Sequence, residues 1–271
     1  MSLGIAFKGP EGIVLAADSR ITLTTVLDRE NERMLLPATF DNGTKLLSIT
    51  NQKYVGFVTY GAGAIGIQSP RSAHSYLPEF EDVLKKEGNN RLKVLEFTEI
   101  LSKFFMDQWE INMPSEYSGP DITFLVGGYD ENEPYGKLFE VNIPRIPKPR
   151  EWHSGKGMFG PVWGGQLEFT SRIIHGYDPS LTSIIQEFLK ISDDQKKELE
   201  NHLRSKLNIR IPYQFLSLQD CVNLSKLLIQ ITHSIQSFYV GIRGVGGSID
   251  IATITRTEGF KHIKKKEITS E

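Results

Sequence analysis

MSLGIAFKGPEGIVLAADSR, residues 1–20, is the stretch on which the reading of this chain turns. Leu3, Ile5 and Phe7 alternate with Gly4, Ala6 and Lys8, the period of two expected of a strand. Gly9-Pro10-Glu11-Gly12 is a turn. Ile13 to Ala17 is then apolar on both faces, which suits a strand buried within a sandwich. The stretch reads as a β-hairpin ending in Asp18-Ser19-Arg20. Spacing alone allows two meanings for those opposite charges. They form a surface salt bridge at a strand end, or they belong to a site.

Ser2 gives the second meaning its interest. A serine at a free N-terminus carries a nucleophile and a base on one residue. Its hydroxyl can attack, and its own α-amine, titrating near about 8, can take the proton. This requires removal of Met1, and Ser2 is small enough for ordinary methionine removal.

The rest of the chain sets bounds. Its 271 residues, 39% of them hydrophobic, suffice for one well-formed core. A net charge of −2 leaves no electrostatic footprint for nucleic acid or an anionic membrane. Cys221 is the sole cysteine, so an intrachain disulfide is excluded, and no Cys or His stands at metal-ligand spacing. No basic segment precedes a long apolar run, and no stretch reaches the length of a membrane span. The expectation is a soluble, cytoplasmic protein with no cofactor and no metal.

Apolar runs at 43–50 and 54–60 continue the first sheet, and the polar stretch 24–42 reads as an excursion. Helical patterns cover 70–88 and 92–110, the latter with Val94, Phe97, Leu101, Phe104 and Phe105 on one side. Strand character returns at 121–128 and 136–142. The Pro-rich stretch 143–150 reads as a loop, followed by a short segment around Trp152 to Gly155. Helical patterns then occupy 165–176, 179–190 and 192–207, the last opened by Ser192 and Gln195 as a capping box. A long helix at 217–238 precedes closing strands at 248–256 and 259–263; Lys261 to Lys266 is a basic, solvated end. This order lacks the alternating rhythm of a parallel sheet. It predicts an α+β fold, a four-layer αββα sandwich of two mainly antiparallel sheets, spanning 1–271 as a single domain.

Several constellations compete for a function. Gly61-Ala62-Gly63-Ala64-Ile65-Gly66 is formally GxGxxG, but the acids about twenty residues on lie in a helical stretch rather than at the end of a second strand. A glycine turn of this kind can instead present an N–H to an oxyanion. Lys45 opens an apolar run; it is an edge lysine, or a lysine that lowers the pKa of the Ser2 amine with Asp18 holding it charged. His153-Ser154-Gly155 could place a hydroxyl in a site. His233, in a helical stretch, is more simply a packed residue. No GxSxG elbow and no zinc-protease His/Glu pair is present.

Together these segments resemble the proteasome-type branch of the N-terminal nucleophile hydrolases. SLGIAFKGPEGIVLAADSR is similar to the opening hairpin of a β-type subunit, with Ser2 where the family has its catalytic threonine. TKLLSI, residues 44–49, resembles the strand that opens with the family lysine, VGFVTYGAGA the strand and turn supplying the oxyanion amide, and GVGGSIDIATIT, residues 244–255, the closing Gly-Gly strand. The resemblance implies Ser2 as nucleophile and base, Asp18 and Lys45 as the charge pair that activates it, and Gly61 as oxyanion donor, with Tyr60 selected if the alignment slips by one. Ser154 matches the family's Gly-Ser-Gly serine loosely. The chain departs from the family at 24–42 and 178–214, which read as insertions. It departs again where a late Asp and Ser are expected, since Ile235-Gln236 and Val245 stand there. The implied function is a peptidase or amidohydrolase, assembled as a homo-oligomer, ring or dimer. The alternatives are a transpeptidase using the same acyl-enzyme, and a non-catalytic ring or scaffold subunit.

Overall fold

The computed structural model describes residues 2–29, 32–88, 90–155 and 157–267. In chain order the elements are β1 (Leu3–Lys8), β2 (Ile13–Asp18), β3 (Ile21–Arg29), β4 (Glu32–Phe40), β5 (Leu46–Ser48) and β6 (Val55–Gly61). Helices α1 (Leu77–Glu87) and α2 (Val94–Asn112) follow, then β7 (Ile122–Gly128), β8 (Lys137–Ile143), β9 (Ile146–Trp152) and β10 (Gly160–Gly165). The chain closes with α3 (Glu168–His175), α4 (Leu181–Leu189), α5 (Asp193–Leu207), α6 (Leu218–Gln236), β11 (Ile249–Thr255) and β12 (Gly259–Lys264).

Two five-stranded antiparallel sheets, ordered β10-β1-β2-β11-β12 and β5-β6-β7-β8-β9, carry the fold. Alternation assigns their faces. In the first sheet Leu3, Ile5, Phe7, Val14 and Ala16 pack against Cys221, Leu228 and Ile229 of α6. Ala6, Ile13, Leu15 and Ala17 point the other way and meet Leu46, Val58, Tyr60 and Leu125 of the second sheet. The far face of that sheet, through Phe57, Phe124 and Val126, takes Phe80 of α1 and Phe97, Leu101 and Phe105 of α2. The layers are therefore helix, sheet, sheet, helix: the αββα sandwich that the sequence predicts. Strands β1 and β2 are apolar on both faces because both faces are covered.

The polar stretch 24–42 is mostly the ribbon β3–β4, a two-stranded sheet of its own among the described residues. The 178–214 stretch holds α4 and α5, and α5 has the Ser192/Gln195 capping box. Three expectations need correction. The runs at 43–50 and 54–60 give β5 and β6, which do not continue the first sheet but pair with each other and with β7 in the second. Residues 146–152 form a strand, not a loop. Pro147 and Pro149 are tolerated because β9 is an edge strand, pairing with β8 alone across a bulge between Glu140 and Asn142. Residues 160–165 are also a strand, β10, whose Gly-rich sequence GPVWGG hides any alternation. Among the described residues no helix is long and apolar enough to cross a membrane.

Candidate active site

Ser2 leads into β1, and the same sheet end brings in Asp18, the last residue of β2. Both are buried, Ser2 at 5% and Asp18 at 1% exposure. Asp18 is a junction of four chain segments. Its Oδ1 accepts from the Leu3 N–H at 2.9 Å and from Lys45 Nζ at 2.7 Å. Its Oδ2 accepts from the N–H groups of Arg20 and Gly246, each at 3.1 Å. Lys45 Nζ also donates to the Arg20 carbonyl. Burial pulls the Lys45 pKa down from its ordinary value, and the Asp18 carboxylate opposes that shift.

The side chains of Asp18 and Arg20 form no ion pair with each other among the described residues. The ion pair of Asp18 is with Lys45, twenty-seven residues on, and it is buried. Arg20 turns to Asp41 instead, with Nη2 2.7 Å from Oδ2. Ser19 ties the strand end to the late glycine segment: its N–H reaches the Gly246 carbonyl at 3.1 Å and its hydroxyl the Ser248 carbonyl at 2.7 Å.

Ser2 and Lys45 line one cleft of about 10 Å³ together with Thr59, Ala62, Gly63 and Ile122. Thr59 enters by strand pairing, its N–H bonded to the Lys45 carbonyl at 3.0 Å. Its buried hydroxyl has no hydrogen-bond partner among the described residues. Gly61 ends β6 with φ at +90°, and a Cβ there would overlap the Asp121 carbonyl oxygen. That bend carries the chain into Ala62 and Gly63, the members of the turn that line the cleft. The Ala62 N–H is bonded to Asp121 O at 2.8 Å, whereas the Gly63 N–H has no hydrogen-bond partner among the described residues. Gly61 itself borders an adjoining depression with Tyr60, Asp121 and Gly165. Tyr60 points its ring between the sheets, its hydroxyl on Glu140 at 3.1 Å.

Ser154 lies elsewhere. It is exposed, in the connection between β9 and β10, next to His153, whose carbonyl accepts from Lys8 Nζ at 2.6 Å. Since β1 pairs with β10 from Leu3↔Gly165 to Lys8↔Gly160, Ser154 sits beyond the opposite end of β1 from Ser2. Five residue steps of strand separate those ends, about 17 Å. The residues beside Ser2 are Gly165 and Gln166. Gln166 N–H donates to the Ser2 carbonyl at 2.8 Å, and a Cβ on Gly165, whose φ is +92°, would overlap that oxygen. Gly164-Gly165 immediately before a helix was the sequence signal for this contact. His233 is a half-buried residue of α6. Where the resemblance leads one to expect an acid and a serine, Gln236 accepts from the buried Val245 N–H at 2.8 Å. GAGAIG follows an antiparallel strand and opens no βαβ unit, so the dinucleotide pattern lacks its fold context. Among the described residues no group of three His, Cys, Asp or Glu side chains comes together to hold a metal ion.

No protein-family model matches the sequence, and no curated protein matches it. Among solved structures, the chain is similar to the Anbu (Gly-1) mutant from Hyphomicrobium sp. strain MC1. The identity is 15% and the TM-score 0.52, over 100% of this chain and 88% of that one. The likeness is one of fold: a sandwich of two antiparallel sheets between helices.

Proposed function

We propose that this protein is a proteasome-like N-terminal serine amidohydrolase, cleaving a peptide or amide bond with Ser2 after Met1 leaves. Met1 lies outside the described residues. One observation carries the reading: Ser2 shares a cleft with Lys45, and Asp18 holds both the Lys45 ammonium and the Leu3 N–H that follows Ser2. A buried ammonium so placed disfavours protonation of a neighbouring amine and so keeps the Ser2 amine available as a base.

Ser2 Oγ attacks the substrate carbonyl, and its proton passes to the Ser2 amine. The resulting oxyanion is held by the backbone of the Gly61–Gly63 turn, where the Gly63 N–H has no partner among the described residues. The amine product departs with the proton from the Ser2 ammonium, leaving an ester on Oγ. Water, deprotonated by the same amine, resolves the ester and restores the hydroxyl. An acceptor amine in place of water makes the product a new amide, and the enzyme a transpeptidase.

Assembly as a cytoplasmic homo-oligomer, a ring or dimer, belongs to the same proposal, as does the treatment of 1–271 as one domain with insertions at 24–42 and 178–214. Gln236 favours the competing reading of a non-catalytic scaffold subunit. Its amide fastens Val245 where a polar group of the site was expected.

Hydrolysis of a fluorogenic peptide amide tests the proposal, using protein whose N-terminus has been confirmed as Ser2 by intact mass. Turnover that disappears in Ser2→Ala and Lys45→Ala supports it. Equal turnover in those variants, or none in the parent across a broad peptide library, returns the protein to the scaffold reading.

A further inference from the structure

A cavity of about 420 Å³ opens beside the free edge of β10, between that strand, α3 and the α4–α5 segment. It is far larger than the Ser2 cleft and shares no lining residue with it. It wraps the β10 edge: Trp163 comes from the Leu3, Ile5 and Phe7 side of the first sheet, Val162 and Trp152 from between the sheets. Its size is that of a small-molecule site.

Its walls are aromatic. Trp163 and His175 have ring centroids 5.2 Å apart with planes inclined at 39°, and His175 and Tyr177 continue the row at 6.2 Å and 34°. Trp152 lines the same cavity. His175 Nδ1 lies 3.0 Å from Asn208 Oδ1, which fixes the ring, and burial lowers its pKa from the ordinary value. These faces suit a flat ring.

The charges at the rim are Glu200 and Arg204, one turn apart on α5. Glu200 is engaged, accepting from the buried Thr182 hydroxyl at 3.0 Å. Arg204 has no carboxylate within ion-pair distance among the described residues. It lines the cavity together with His175. An unpaired guanidinium beside stacked rings is matched by a carboxylate on a planar apolar body, which it can grip in a two-point fork.

We infer that this cavity binds a small aromatic carboxylate, with the ring stacked along Trp163, His175 and Tyr177 and the carboxylate on Arg204. The site is independent of the Ser2 chemistry.

The test uses the full chain and three probes: 1-naphthoate, neutral 1-naphthamide and cationic 1-naphthylmethylammonium. Binding is read by tryptophan fluorescence and calorimetry. Saturable one-to-one binding of naphthoate is expected, about tenfold or more tighter than naphthamide, with a similar loss in Arg204→Gln. Arg204 is exposed, so that variant folds as the parent does. Ser2→Ala should leave the affinity unchanged. No saturable binding at millimolar naphthoate, equal affinity in Arg204→Gln, or preference for the ammonium probe would each overturn the inference.

Discussion

Lys45 Nζ stands 2.7 Å from Asp18 Oδ1 with both side chains almost wholly buried, and the two ends of this ion pair are unequally supported. Asp18 keeps three backbone N–H donors when Lys45 is removed. Among the described residues, Lys45 keeps only the Arg20 carbonyl when Asp18 is removed. Asp18→Ala should therefore cost about 3–5 kcal/mol of stability by stranding a buried ammonium. Lys45→Met should cost clearly less. Urea denaturation of both variants checks the order; a larger loss in Lys45→Met contradicts it.

The Lys45 pKa gives a pH test. Burial places it below its unfolded value, so the unfolded chain binds the extra proton between the two. The contribution of Lys45 to stability is then full above its unfolded pKa, near about 10.4, and is lost as pH falls through the folded pKa. Relative to Lys45→Met, the parent should gain stability from pH 8 to pH 10.5. A flat difference would mean that Asp18 fully cancels the effect of burial.

Gly165 should not tolerate a side chain. Its positive φ and the Ser2 carbonyl oxygen oppose any Cβ. Gly165→Ala is expected to lose about 1–3 kcal/mol and to displace the start of β1. Thermal unfolding reads the first effect, and a shift of the Leu3 amide resonance, whose N–H is bonded to Asp18 Oδ1, reads the second.

Thr59→Val separates stability from chemistry. The Thr59 hydroxyl is buried without a partner among the described residues, so an apolar isostere should be neutral or stabilising. If the hydroxyl holds a water or the oxyanion in the Ser2 cleft, turnover falls while the melting temperature does not. An equal melting temperature with unchanged turnover removes Thr59 from the site.

Cys221 should be silent in the native state. Burial pushes its thiol up to about 12, and it is fully enclosed beneath Gly9. Ellman's reagent should react only as fast as the protein opens, and at once in denaturant. Rapid reaction of native protein would show that the α6 face of the first sheet is loosely packed.

Part of this structure could be read from the chain because some elements carry their burial in one short segment. β1 and β2 do so, being apolar on both faces, and so does α2, with its phenylalanines on one side. β9 and β10 do not. Prolines acceptable only at a sheet edge and a run of glycines leave no periodicity to find. The site divides in the same way. Asp18 and Lys45 stand out as charges bordering apolar runs, but their partners do not. Gly246 reaches Asp18, and Gln166 reaches Ser2, only through packing between segments more than a hundred residues apart. Ser154 is the counterpart: a suggestive tripeptide that the β1–β10 register carries to the wrong end of the strand.

The central claim is that Ser2 is an activated nucleophile. The direct measurement is peptide mapping by mass spectrometry after incubation with a β-lactone, in protein whose first residue is confirmed as Ser2. A single ester adduct on the Ser2 peptide is predicted, absent in Lys45→Ala and in folded Ser2→Ala. An unmodified Ser2 in correctly processed, folded protein would contradict it.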